Sequence, residues 1–235
     1  MKLLVTLFTA LLLASPWTFA QSARDKNPTL SLEVIYAFNP ENPPPQFFYR
    51  NLEGEYSPLS VSFMARGNPN PVPRNSPLVL YREVNQDGQT IKSPALQIPL
   101  PINDDQAMLF FYLDQNSKVQ FKLIEDAPNR HTGGSLRVVN LTQQEIACLI
   151  GKEQVRLGPF KDEVKNVMSG KQRFSFAFAL LEPEPYKSPV KVLPMRSTDQ
   201  RLLIIFSYQL RSVKGEGGRT SKVLVPDATR MYDKV

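Results

Sequence analysis

Hydrophobic and polar residues alternate with a period of two along most of the chain. Leu30, Leu32, Val34, Tyr36 and Phe38 interleave with Ser31, Glu33, Ile35, Ala37 and Asn39, the pattern of a strand with one buried face. The same period recurs at Leu59-Val61-Phe63, Leu96-Ile98-Leu100, Val119-Phe121-Leu123 and Phe174-Phe176-Phe178-Leu180. Two unbroken apolar runs, Met108 to Leu113 and Leu202 to Tyr208, predict central strands covered on both faces. Turn signals separate these segments, among them Asn85 to Gly88, Gly133-Gly134, Leu157-Gly158-Pro159 and Lys214 to Gly218. Only Lys161 to Met168 carries a pattern compatible with a short helix. The expected fold class is all-β.

Four short matches between the two halves point to an internal repeat. Asn51, in Phe48 to Leu52, aligns with Asn140 in Arg137 to Leu141. Leu100-Pro101 aligns with Leu193-Pro194, and Asp105-Gln106 before Met108 to Tyr112 aligns with Asp199-Gln200 before Leu202 to Phe206. Leu123 to Ala127 aligns with Leu224 to Ala228. The order is kept and the spacing drifts where a Gly-rich loop is inserted, as surface loops allow. The expectation is two tandem immunoglobulin-like β-sandwich domains from a duplication, residues 29–126 and 127–235, meeting in the polar turn-rich segment Glu125 to Gly134.

Composition narrows the function. The chain holds 21 Pro against 11 Gly, and one each of Cys, His and Trp. Proline in this proportion disfavours long helices, and Pro43-Pro44-Pro45 reads as a stiff loop between the first two strands. Lys2, the apolar Leu3 to Leu13 and the small-x-small Thr18-Phe19-Ala20 form an export signal over 1–20, followed by a linker over 21–28. No second long apolar stretch follows, so an integral membrane protein is not expected. Cleavage removes Lys2 and Trp17 and leaves 27 basic against 22 acidic residues, a net charge of +5.

Candidate chemistry is sparse. Cys148, within the apolar Ile146 to Ile150, reads as a buried inert thiol, and His131, in a turn, as solvent-exposed. No serine elbow, phosphate loop, metal-ligand cluster or cofactor motif is legible, so no catalytic, metal or cofactor residue is assigned. Paired carboxylates for loop-acid hydrolysis are available, for example Asp104/Asp105 and Glu182/Glu184. Basic residues gather near the C-terminus: Arg201, Arg211, Lys214, Arg219, Lys222 and Arg230 are the candidate ligand-binding face. An export signal argues against nucleic acid, which leaves an anionic envelope polymer or another exported protein as partner.

The run Ser135 to Thr142, the apolar Ile146 to Ile150 and the turn Leu157-Gly158-Pro159 after Val155 resemble the opening of DUF4397-like bacterial β-sandwich domains. With Tyr49-Arg50-Asn51, Tyr56 to Leu59, Leu78 to Tyr81 and Asp199-Gln200-Arg201, most of the mature chain is similar to a set of uncharacterised secreted bacterial proteins. That resemblance implies a β-sandwich and export, and it brings no functional residue with it. The expected function is therefore a non-enzymatic exported protein for binding, adhesion or envelope structure. A periplasmic assembly chaperone acting by strand donation and a hydrolase with loop carboxylates are the alternatives.

Overall fold

The computed structural model describes residues 28–38, 45–74, 77–101, 103–168, 173–180, 186–214 and 220–234, without the side chains of 213–225 and 234. The expected leader, most of the linker, Pro43-Pro44, Glu182, Glu184 and the Gly-rich loop with Arg219 lie outside these residues. The first half forms β1 (Thr29–Tyr36), β2 (Phe47–Arg50), β3 (Tyr56–Pro58), β4 (Ser62–Phe63), β5 (Asn70–Pro73), β6 (Leu78–Gln86), β7 (Gln89–Ile98), β8 (Gln106–Leu113) and β9 (Val119–Glu125). The second forms β10 (Ser135–Asn140), β11 (Ile146–Ile150), β12 (Glu153–Leu157), β13 (Asp162–Asn166), β14 (Arg173–Leu180), β15 (Tyr186–Lys187), β16 (Lys191–Pro194), β17 (Gln200–Lys214) and β18 (Thr220–Lys234). Every described element is a strand, as the period of two demands. The one segment with a helical pattern is instead β13, which pairs antiparallel with β10 from Asp162 to Asn166. Ladder hydrogen bonds and the β-branched Val164 outweigh a marginal helix there.

The strands make four sheets with matching orders. Sheet I runs β4-β1-β8-β9, with β5 also on β1, and sheet II runs β3-β2-β6-β7. Sheet III runs β13-β10-β17-β18 and sheet IV β12-β11-β14-β15, with β16 also on β14. In both halves the first strand lies parallel to the long apolar strand, β1 on β8 and β10 on β17. Sheets I and II enclose one core around Leu32, Leu80, Ile98 and Leu109. Sheets III and IV enclose another around Leu136, Cys148, Phe174 and Phe206. The β6–β7 hairpin turns on Asp87-Gly88, both at positive φ (53° and 82°), the two-residue geometry that favours Asp-Gly.

A third apolar layer joins the halves. Ile35, Met108, Phe110 and Ile124 on the outer face of sheet I meet Val139, Leu203, Ile205 and Met231 on the outer face of sheet III. The order is thus sheet II, sheet I, sheet III, sheet IV, with three buried layers between. Both unbroken apolar runs, in β8 and β17, are covered on both faces for this reason. β1 is buried on both faces too, contrary to its alternating pattern, because Ile35 and Ala37 face the third layer rather than solvent.

The repeat alignment needs two corrections. Asn51 closes β2 whereas Asn140 ends β10, and the topological equivalent of β2 is β11, so that match joined different strands. Leu224 to Ala228 does lie on the strand equivalent to the one holding Leu123 to Glu125, but in another register. Ala107 faces Glu125 and its counterpart Arg201 faces Asp233. The difference arises because β17 and β18 each span 15 residues, against 8 and 7 in β8 and β9. The added length reaches the first half: Tyr208 enters its core, Leu210 packs against it, and Gln209 Nε2 donates to the Ala37 carbonyl at 2.7 Å.

Candidate functional site

The densest polar arrangement lies where the two sandwiches meet, at the rim of the third apolar layer. Its centre is Asp126, in the segment that follows β9. Four cationic or imidazole groups converge on that carboxylate: Arg66 Nη2 at 3.1 Å, Arg137 Nη1 at 3.3 Å, Arg201 Nη1 at 3.5 Å and His131 Nδ1 at 3.3 Å. Arg66, from the loop before β5, also reaches Glu33 of β1 at 2.8 Å and Asp233 of β18 at 3.1 Å. Arg137 of β10 donates to Asp162 at 2.7 Å and to the Glu125 carbonyl at 2.6 Å. Arg201 of β17 pairs with Asp233 across the strand. The charges come from both sandwiches and their connection, so the network forms only when the halves are docked.

Buried charges require such pairing, since the low-dielectric interior penalises each one separately. The two carboxyls flanking Arg66 respond in opposite senses. Burial pushes Glu33 above its ordinary 4.5, against the pull of Arg66 and of the Gly67 N–H, which donates at 2.7 Å. Burial acts the same way on Asp126, but His131, Arg66 and Arg201 outweigh it and hold Asp126 below 3.8. Glu33, Arg66, Asp126, Arg201 and Asp233 border a cleft of about 200 Å³. Each of these carboxylates is occupied by at least one arginine, an arrangement that fixes structure more readily than it offers a free base.

Two of the residues singled out in the sequence, His131 and Arg201, are placed differently from expectation. His131 is fully buried (0% exposed) and belongs to the Asp126 network, so the exposed histidine is corrected. Its turn folds inward because Asp126 and the Arg201 side chain, which donates to the His131 carbonyl at 3.4 Å, hold it there. Arg201, 5% exposed, is not on a solvent face; it is the second half's contribution to the same network. Arg211 is exposed and paired with Asp227, and Arg230 is exposed on β18. Lys214 and Lys222 lie on β17 and β18, with side chains outside the described set, as is Arg219 altogether. Of the six, Arg201 is thus withdrawn from solvent and Arg211 and Arg230 are exposed. Asp104 is buried against Arg130 at 2.9 Å, while its neighbour Asp105 is exposed and paired with Arg74, so the two are turned to different partners.

Cys148 sits in the core of the second sandwich, opposite Val155 and Phe178, and burial pushes its thiol up to about 12. The thiolate is the reactive form, so iodoacetamide at neutral pH is expected to leave the folded protein unmodified. Stoichiometric labelling should appear only in denaturant, as mass spectrometry would show; rapid labelling of the native protein would contradict this placement.

A second polar surface was not legible in the sequence. On sheet IV, Phe174, Phe176 and Leu180 point into the core, so Arg173, Ser175, Ala177 and Ala179 line the outer face. Cross-strand partners share that face: Pro194 with Arg173, Val192 with Ser175 and Lys187 with Ala179. Exposed Lys152, Arg173, Lys187, Lys191 and Arg196 make no ion pair among the described residues. Arg173, Val192, Pro194 and Arg196 border an open depression of about 570 Å³. Among the described residues no three His, Cys, Asp or Glu side chains are grouped to hold a metal ion, and no helix is long and apolar enough to cross a membrane. No family model matches the chain, and no curated protein matches it.

Proposed function

We propose that the protein is an exported, non-enzymatic binding or envelope-structural protein, in which two β-sandwiches locked into one body present a basic face to an anionic component of the cell envelope. The observation that carries this reading is the set of five exposed cations around sheet IV that make no ion pair among the described residues, with Arg173 and Arg196 bordering one open depression. Clustered charge of one sign attracts polyanions over a Debye length. The shared strand order of the two halves supports an origin by internal duplication.

The test is co-sedimentation of the mature chain with purified envelope fractions at low and high salt. Retention that falls as salt rises is the expected result, and absence of retention at low salt would overturn the reading. The strand-donation alternative draws on β18, a 15-residue strand with no partner on its outer side among the described residues. Co-purification of one specific exported subunit would favour it. The hydrolase alternative draws on the opposed shifts of Glu33 and Asp126 in one cleft, but Arg66 touches both carboxylates and competes with any substrate for them.

A further inference from the structure

We propose that the β15–β16 edge of sheet IV docks the protein onto the surface of an anionic lipid bilayer. This deepens the reading above and rests on it.

Exposed large apolar side chains are concentrated here: Tyr186 (50% exposed), Val190 (63%) and Val192 (65%) fall within seven residues. Arg173 and Arg196 border the same depression as Val192, Lys187 shares that outer face, and Lys191 lies beside Val190 and Val192 along the edge. Aliphatic and aromatic tips flanked by cations match the acyl–headgroup boundary, where apolar groups enter and basic groups meet lipid phosphates. A hydrated polysaccharide gains nothing from Val190 and Val192, whereas a hydrocarbon phase does.

The backbone argues against a strand as the occupant. Between Lys187, opposite Ala179, and Lys191, opposite Phe176, the edge contains one residue more than β14, which makes a bulge at Ser188 to Val190. Pro189 and Pro194 offer no N–H, and lysines flank the bulge. Proline, lysine and bulges are the devices that blunt a sheet edge against further pairing. What remains available is the side-chain surface, and a bilayer reads side chains without needing a ladder.

The experiment uses the mature full chain and vesicles of phosphatidylglycerol with phosphatidylethanolamine, against vesicles of phosphatidylcholine alone. Association is expected with the first, falling with salt, and not with the second. Arg173→Gln with Arg196→Gln should lower the partition coefficient about thirtyfold. Val190→Asp with Val192→Asp should abolish association while leaving the urea midpoint unchanged, since both side chains are already in solvent. Equal association with phosphatidylcholine, unchanged association of both variants, or capture by soluble polygalacturonate without any by vesicles would overturn the proposal. If envelope fractions retain both variants as well as the parent, lipid docking fails while envelope binding stands. If no envelope fraction retains the parent chain, the broader reading fails with it.

Discussion

Asp126→Ala is expected to cost about 3–5 kcal/mol of folding stability, the usual consequence of removing one partner from a buried ion network. The carboxylate is 3% exposed and faces Arg66, Arg137, Arg201 and His131 together. Arg137 keeps Asp162 and Arg201 keeps Asp233 when it is lost, but three guanidinium groups and the His131 ring then lose the buried carboxylate that they share. Asp126→Asn retains the shape and loses the charge, so it separates packing from electrostatics; most of the loss should persist in it. Urea titrations of the three proteins give the comparison. A loss near that of an exposed pair, under about 1 kcal/mol, would show that the halves do not depend on this network.

The same residue sets the acid limb of stability. Because the folded Asp126 carboxyl lies below 3.8, its contribution is fully present above that pH and is lost as pH falls through the depressed folded value. Glu33 works in the opposite direction. Its folded carboxyl lies above 4.5, so the folded state binds the proton more tightly, and stability from this group rises as pH falls through that raised value. Urea midpoints measured from neutral pH downward should accordingly be sustained or rise at first and then fall. Asp126→Asn should flatten the fall, and Glu33→Gln should remove the rise; a fall that persists unchanged in Asp126→Asn would assign the acid limb to other groups.

Strand content was legible because alternation is a local signal. Phe174, Phe176 and Leu180 read as one buried face and are one, and the apolar runs of β8 and β17 read as doubly covered and are so. What local pattern does not contain is which element lies across a face. Ser31, Glu33, Ile35 and Ala37 read as the solvent side of β1, although Ile35 and Ala37 are themselves apolar, which was the available signal that a second layer covers them. The Asp126 network was out of reach for a related reason. Glu33, Arg66, Asp126, Arg137, Arg201 and Asp233 are scattered along the whole chain, and each taken singly resembles an ordinary surface charge. Only the back-to-back stacking of sheets I and III brings them together and withdraws them from water. The sheet IV cations that make no ion pair among the described residues are equally dispersed, on β14, on and after the β15–β16 edge and in the turn after β11, whereas the basic residues near the C-terminus lie close together in sequence and include the buried Arg201.

Phe110→Ala is expected to destabilise the whole molecule by about 3–5 kcal/mol, the cost of emptying a large aromatic site in a packed interior. Phe110 is 0% exposed, yet it belongs to neither sandwich core; its ring lies in the layer between sheets I and III. In a chain of two loosely tethered domains such a position would be solvent, and its truncation nearly silent. Two-domain chains commonly unfold in separate steps. Here the third apolar layer, the Asp126 network and the reach of Tyr208 into the first core couple the halves, so one cooperative transition is expected. Phe206→Ala provides the internal comparison, because Phe206 lies in the second core with its ring edge to Phe178 at 4.8 Å. Both substitutions should lower the same transition, monitored by far-ultraviolet circular dichroism and by tyrosine fluorescence. Two transitions in the parent protein, or a Phe206→Ala effect confined to one of two steps, would mean that the sandwiches fold independently.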